Sequence, residues 1–391
     1  GGSGTYGYSI DGGTTWQASG AFNGLAPDTY DVRIRDAANT SCMIILNPAV
    51  VITEPPALNA VVASVNVTCF GAGNGVISIT NPTGGYGTYE FSVDGGVNWQ
   101  PTGNFSNLAP AIYDVRIRDR AHTGCFVILN PALVITQPAR LTAAVVKTDV
   151  TCNGANDGMI TMTNPAGGYG TYQYSINGGA SWTSSGSFSN LSPGTYNVRI
   201  RDAANISCET VLDPALVITQ PARLAATVTS TNVTCNGAND ATISVTSPAG
   251  GYGSYEYSIN SGVTWQSSGN FTALSPGFYN VQIRDAANIN CVVILNGSLR
   301  ITEPPALTAN VTRSNVTCNG AANGTITITS PSGGYGTYEY SVNAGGSWQS
   351  ENAFSNLAPG SYNVQIRDAA QISCVVVLNP ALSITEPAAL T

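Results

Sequence analysis

The sequence predicts an all-β protein, a tandem array of immunoglobulin-like β-sandwich domains. The chain of 391 residues repeats every 83 residues without insertion or deletion. Its apolar residues alternate in short runs that are separated by turns rich in Gly, Pro and Asn, and no segment combines a helical period with helix caps. Five tryptophans mark the repeat: Trp16, Trp99, Trp182, Trp265 and Trp348.

Residues 141–223 show the elements of one repeat, for which about seven short strands are predicted. Asn177-Gly178-Gly179 is a hairpin turn signal, and Trp182 begins the returning strand. Seven strands with turns at this spacing are typical of an immunoglobulin-like sandwich, and Tyr196 in Pro-Gly-Thr-Tyr resembles its tyrosine corner. The predicted strands are 141–152, 159–163, 171–176, the one opened by Trp182, 188–191, 195–201 and 208–218.

Proline-containing segments such as Gln137-Pro138 separate the repeats. Proline favours a short, extended and stiff connection, so neighbouring domains are expected to touch. The predicted domains are a partial repeat at 1–57, which is the C-terminal part of a sandwich, complete repeats at 58–140, 141–223 and 224–306, and a repeat with the start of the next at 307–391.

Composition excludes several classes of function. Charged residues make up 9% of the chain, and the formal net charge is −8, which argues against a nucleic-acid partner. No run of about 18 apolar residues occurs, so no membrane insertion is expected. The chain has one His and no catalytic motif, and five near-copies of one site would be unusual for an enzyme, so we expect no catalytic residues.

The nine cysteines lie on two tracks of the same period. This pattern is typical of disulfides in an extracellular protein, and a zinc site is disfavoured because no Cys-x-x-Cys spacing occurs. The cysteines are Cys42, Cys125, Cys208, Cys291 and Cys374 on one track and Cys69, Cys152, Cys235 and Cys318 on the other.

Two disulfide pairings stay open. Five predicted strands separate Cys69 from Cys125, which places them at opposite ends of the sandwich and favours a bond between repeats, such as Cys69–Cys208. A bond within one repeat, such as Cys69–Cys125, is the common arrangement in small secreted domains and is preferred on that ground alone. In that arrangement the partner of Cys42 lies outside the sequence. A Cys42–Cys69 bond would span two extended strands and is the poorest choice.

Turn carboxylates are weak candidates for calcium binding. Ca²⁺ needs six to eight oxygen ligands, and several repeats replace the aspartates with other residues, so turn formation explains them better. No cofactor is therefore predicted. The candidates are Asp11, Asp94, Asp157 and Asp240.

An Arg-Asp pair ends the same strand in all five copies, and we predict a structural role for it as an ion pair or turn cap. The periodic tryptophans are predicted to pack in a core or at a domain junction, although exposed rings could bind sugars. Tyr86, Tyr169, Tyr252 and Tyr335 in Gly-Gly-Tyr-Gly are expected near an inter-repeat surface. The Arg-Asp pairs are Arg35-Asp36, Arg118-Asp119, Arg201-Asp202, Arg284-Asp285 and Arg367-Asp368.

The repeat as a whole resembles the SprB-type repeat. The resemblance covers the entire chain and rests on Asn-Val-Thr-Cys-Asn-Gly at 232–237, Tyr-Ser-Ile-Asp-Gly-Gly-x-x-Trp-Gln at 8–17 and Pro-Gly-Thr-Tyr-x-Val-x-Ile-Arg-Asp at 193–202. It implies a cell-surface adhesin of Bacteroidota, exported by type IX secretion, with a role in adhesion or gliding motility.

Two functions are therefore expected to compete. The first is a structural segment of an extracellular fibre, an extended rod of disulfide-stabilised repeats whose partners are neighbouring repeats and other copies of itself. The alternative is an array of weak sites for surface glycans that gains affinity by avidity. Solvent-facing tryptophan rings would favour the alternative, and buried rings would favour the fibre.

Overall fold

The computed structural model describes residues 1–390, which form 27 strands and contain no helix. The alternation of inward apolar and outward polar residues accounts for the strands: Val115 and Ile117 are fully buried, and the side chains of Arg116 and Arg118 lie on the opposite face. The strands are β1 (Tyr6–Ser9), β2 (Asp28–Asp36), β3 (Met43–Ile52), β4 (Asn59–Val65), β5 (Gly75–Thr83), β6 (Tyr89–Ser92), β7 (Asn104–Leu108), β8 (Ala111–Asp119), β9 (Phe126–Ile135), β10 (Thr142–Thr148), β11 (Gly158–Ala166), β12 (Tyr172–Ser175), β13 (Ser187–Leu191), β14 (Gly194–Asp202), β15 (Glu209–Ile218), β16 (Ala225–Thr231), β17 (Ala241–Ala249), β18 (Tyr255–Ser258), β19 (Asn270–Leu274), β20 (Gly277–Asp285), β21 (Val292–Ile301), β22 (Thr308–Ser314), β23 (Gly324–Ser332), β24 (Tyr338–Ser341), β25 (Ala353–Leu357), β26 (Gly360–Asp368) and β27 (Val375–Ile384).

Each complete repeat contains two three-stranded sheets, and the predicted all-β sandwich is confirmed. In residues 58–140 the first sheet has the order β4-β5-β7 and the second the order β6-β8-β9. The pairs β4–β5, β5–β7, β6–β8 and β8–β9 are all antiparallel. The same two sheets recur in the later repeats, and residues 1–57 contain only the second-sheet equivalent, β1-β2-β3.

Each repeat has six strands, one fewer than predicted, because the tryptophan segment forms only an isolated bridge. In residues 58–140 this bridge joins Gln100 to Phe91 of the second sheet. Three residues later the Gly103 carbonyl accepts a hydrogen bond of 2.7 Å from Ile79 of the first sheet. The segment changes sheets within these few residues, so it cannot build a ladder in either one.

The core of each repeat lies between its two sheets. In residues 224–306 it contains Ile243 and Val245 from the first sheet and Val281 and Ile283 from the second. The predicted tyrosine corner is confirmed, since the Tyr196 hydroxyl donates to the Ser192 carbonyl at 2.7 Å. Equivalent bonds are made by Tyr30, Tyr113, Tyr279 and Tyr362.

The contacts divide the chain into two compact units. The first consists of Gly1–Ala144, Thr163–Ser185 and Val198–Pro214, and it contains the sheets of β1 to β9. The second consists of Val145–Met162, Gly186–Asn197 and the chain from Ala215 onward, and it contains the sheets of β16 to β27. Within residues 1–390, no helix could cross a bilayer.

Candidate functional site at the repeat junctions

Three disulfides join neighbouring repeats, and each spans 139 residues. They are Cys69–Cys208, Cys152–Cys291 and Cys235–Cys374, with Cα–Cα distances of 5.2 to 5.3 Å. The preference for a bond within one repeat was wrong. Although the repeat has one strand fewer than predicted, the tryptophan segment still crosses it, so the chain makes five passes between Cys69 and Cys125. An odd number of passes puts these two cysteines at opposite ends.

Three cysteines carry no disulfide within the described residues, namely Cys42, Cys125 and Cys318, and all are exposed. A step of 139 residues from any of them, in the direction of the observed pairs, leads to a position outside the sequence. Open clefts of about 770, 400 and 90 Å³ border the three disulfides in chain order.

A tyrosine hydrogen bond accompanies every disulfide. The hydroxyl of Tyr169 donates to the Thr68 carbonyl at 2.9 Å, and Tyr252 and Tyr335 donate in the same way to Thr151 and Thr234 at 3.0 Å. The same carbonyl oxygens lie 3.3 to 3.4 Å from a disulfide sulfur. A disulfide sulfur has no proton to donate, so only the tyrosine satisfies the carbonyl. The expected location of these tyrosines near an inter-repeat surface is confirmed.

In the four complete repeats, the aspartate of the Arg-Asp pair holds the tyrosine loop against the cysteine turn. In residues 224–306 the carboxylate of Asp285 is fully buried and accepts hydrogen bonds from the backbone N–H groups of Tyr252, Ala287 and Asn288. Asp285 also donates its own N–H to the Cys291 carbonyl at 3.0 Å. One buried aspartate therefore orients both groups that reach the neighbouring repeat: its carboxylate holds the Tyr252 loop, and its backbone N–H holds Cys291.

At the equivalent Asp119, hydrogen bonds of this kind lower the pKa of the carboxyl group. The N–H of Tyr86 donates to it at 2.7 Å, and those of Ala121 and His122 donate at 2.9 and 3.1 Å. The Tyr86 N–H and then the other two amides hold the pKa of this carboxyl below its usual value. Asp36 is similar, with a pKa lowered to about 2, mainly by Ser3. These carboxylates therefore contribute fully to the free energy of unfolding above the ordinary carboxyl pKa. Their contribution is lost as the pH falls through the lowered pKa.

Linker side chains hold the turn that carries the first cysteine of each junction. The amide oxygen of Gln137, which precedes Pro138, accepts a hydrogen bond of 2.7 Å from the Gly71 N–H in the turn that carries Cys69. Gln220, Glu303 and Glu386 accept equivalent bonds at 2.8 Å. Sequence reasoning missed this role, although Glu or Gln before Pro in every copy was a usable signal.

The arginine of each Arg-Asp pair lies over the periodic tryptophan. The guanidinium carbon is 4.4 to 4.5 Å from the ring centroid in all five copies. Arg118, Arg284 and Arg367 also bind a glutamate across the strand pair at 2.6 to 2.7 Å, and Arg201 binds Gln173 at 2.8 Å. Arg35 faces Gly7 instead, and its buried Nε has no partner within the described residues.

The tryptophans are thus half-buried on the outer face of the second sheet. Several also donate their indole N–H to a glycine carbonyl at 2.8 Å, as Trp265 does to Gly262. An arginine covers one face of each ring and closes that face to a stacking sugar. The observation disfavours the glycan-binding alternative.

The calcium candidates lie apart from one another and accept hydrogen bonds within their own turns. Asp11 accepts from Ser9 and Thr15, and Asp94 accepts from Ser92 and Asn98. Asp157 and Asp240 accept from the backbone N–H groups of Thr151 and Thr234 at 2.9 and 2.8 Å. No group of three or more Asp, Glu, His or Cys residues in the described part of the chain could hold a metal ion.

Comparison with known proteins identifies the repeat. The SprB repeat family matches residues 61–98, 144–181, 227–264 and 310–347. No curated protein matches the chain.

Three solved structures show distant similarity. Three N-terminal domains of the Hoc capsid protein of bacteriophage RB49 are 11% identical, with a TM-score of 0.29, over 63% of this chain and 100% of that one. A tetra-tandem repeat from the extending region of a large adhesion protein is 13% identical, with a TM-score of 0.22, over 83% and 98%. The S-layer protein rSbsC is 12% identical, with a TM-score of 0.20, over 87% and 55%. TM-scores this low do not establish a shared fold.

Proposed function

We propose that this chain, an adhesin-like surface protein built of SprB repeats, is a structural segment of an extracellular fibre. The observation that carries the proposal is that all three disulfides join successive repeats at equivalent positions. The covalent cross-links that the repeats share therefore lie at the junctions between them. Such an arrangement suits a stalk that holds an adhesive part away from the cell.

The SprB resemblance supports a more specific setting. We place the chain on the surface of a Bacteroidota cell, exported by type IX secretion, where it supports adhesion or gliding. Its partners are then neighbouring repeats and further copies of the fibre. The low content of charged side chains, with one Lys in 391 residues, also limits the number of sites for basic-residue proteases.

Surface labelling of the source cells tests this proposal. An antibody raised against the purified chain should label intact cells, and the chain shed from them should carry its paired cysteines as disulfides. A second strain with residues 141–223 deleted in frame keeps the cysteine spacing, because one whole repeat is removed. This strain should still adhere, with its attachment point closer to the cell. Label found only inside cells, or reduced cysteines in native material, would overturn the fibre proposal.

A further inference from the structure

We infer that the overlapping disulfides make the array almost inextensible between Cys69 and Cys374, because they direct tension through one short backbone segment, residues 208–235. The biological meaning of this inference rests on the fibre proposal, whereas the covalent argument concerns the chain alone. Each disulfide spans 139 residues, whereas the repeat is 83 residues long. Successive disulfide loops therefore overlap.

The shortest covalent route through the array uses only two of the three disulfides. It runs from Cys69 across its bond to Cys208, along the backbone to Cys235, and across that bond to Cys374. The backbone part of this route is 27 residues long, whereas 305 residues separate Cys69 from Cys374 along the chain. The shortest route through Cys152–Cys291 needs two stretches of 56 residues, from Cys208 back to Cys152 and from Cys291 back to Cys235, and remains slack.

The segment on the short route is already extended. Residues 208–235 contain the ten residues of β15, the linker with Pro221, and the seven residues of β16. A β-strand rises about 3.3 Å per residue, close to the limit of the polypeptide, so pulling can lengthen these strands little. The sandwich strands β11 to β14 and β17 to β20 lie off this route. They can unfold without lengthening the array.

The size of the effect follows from chain geometry. A fully extended chain spans about 3.4 Å per residue. The 27-residue route therefore limits the distance from Cys69 to Cys374 to roughly 100 Å with its two disulfides, whereas the reduced segment could reach roughly 1,000 Å. Ordinary tandem sandwich domains lengthen as each one unfolds, and this array would not.

Single-molecule pulling on the whole chain tests the inference. All variants carry Cys42→Ser, Cys125→Ser and Cys318→Ser, and handles are attached to tags at both ends. In the oxidised protein, unfolding should add length only from the residues before Cys69 and after Cys374. Addition of the reductant TCEP should release a further 278 residues, or about 950 Å.

Two double variants provide a matched comparison. Removing Cys69–Cys208 with C69S and C208S lengthens the shortest route from 27 to 139 residues, namely 83 from Cys69 to Cys152 and 56 from Cys291 back to Cys235. About 112 residues, or about 380 Å, should therefore be added. Removing Cys152–Cys291 with C152S and C291S removes an equivalent bond but should add nothing. If this second pair lengthens the chain, or if oxidised wild type extends by whole repeats, the inference is wrong.

Folding of the variants does not affect the outcome. The maximum extension depends on covalent connectivity alone, so it can be measured on chains that are unfolded in urea with their disulfides intact. A fibre that failed to mediate adhesion would leave these lengths unchanged, so the fibre proposal and this inference can fail separately.

Discussion

At the scale of single residues, one hydroxyl distinguishes a paired junction from an open one. Tyr252 and Tyr86 occupy equivalent positions and are similarly exposed, at 55% and 57%. The Tyr252 hydroxyl donates to the Thr151 carbonyl of the preceding repeat. The Tyr86 hydroxyl has no partner among residues 1–390, and its ring stacks on His122 at 4.0 Å. The two tyrosines therefore form a natural matched pair.

We expect Tyr252→Phe to destabilise the protein and Tyr86→Phe to have little effect. The first change removes one neutral hydrogen bond, which contributes about 0.5–1.5 kcal/mol to the free energy of unfolding. The second keeps the ring stack and breaks no bond, so its effect should stay within about 0.5 kcal/mol. Urea denaturation followed by tryptophan fluorescence measures both. Equal losses would show that the hydroxyl bond does not stabilise the junction.

At the scale of elements, the turn between β17 and β18 is tightly packed at one glycine and open at another. Gly251 has a φ of +58°, and a Cβ at this position would overlap the carboxylate of Asp285 and lie 2.8 Å from Leu224. Gly253, two residues later, has a φ of +91° and open space around it. Both positions favour glycine for conformational reasons, but only the first also requires it for packing.

Alanine substitutions separate these two requirements. Gly253→Ala should cost about 1–2 kcal/mol, the strain of a left-handed backbone. Gly251→Ala should cost about 3 kcal/mol or more, since overpacking adds to the same strain and displaces the carboxylate that orients Tyr252. Thermal unfolding of both variants measures the difference. If the two losses were equal, the carboxylate would not hold the turn closed.

The sequence predicted most of the strands because their alternation of apolar and polar residues is local. The tryptophan segment was assigned as a strand since its hairpin signal at Asn177-Gly178-Gly179 is genuine. Only the three-dimensional structure shows that the chain leaves the second sheet after one bridge. A turn cap was one of the two roles predicted for the Arg-Asp pair, but the donor Tyr252 could not be predicted, because it lies 33 residues before Asp285 in the sequence. The number of predicted strands between Cys69 and Cys125 already favoured a bond between repeats, which the structure contains. The wrong preference rested only on the arrangement that is common in small secreted domains.

At the scale of the whole molecule, the single lysine allows a simple test of the pairing. Lys147 lies in β10, between Cys69 and Cys152. Cleavage by a lysine-specific protease in urea, after free thiols are blocked, should leave one species on a non-reducing gel. Reduction should then release fragments 1–147 and 148–391. Bonds within repeats, such as Cys69–Cys125, would let the fragments separate without reductant.

The same double variants serve as controls for this cleavage. Only Cys69–Cys208 connects the two sides of Lys147. The C69S and C208S protein should therefore separate without reductant. The C152S and C291S protein should stay joined. Any other result would mean that the cysteines are paired differently.

The overlap of the disulfides also gives the array redundancy against damage. Every peptide bond between Cys69 and Cys374 lies within at least one disulfide loop, so no single break can part the ends. With all three bonds intact, separation needs three breaks: one between Cys208 and Cys235, and one on each side of either Cys152 or Cys291. A fibre built in this way could lose backbone integrity at scattered points and still remain one covalent object.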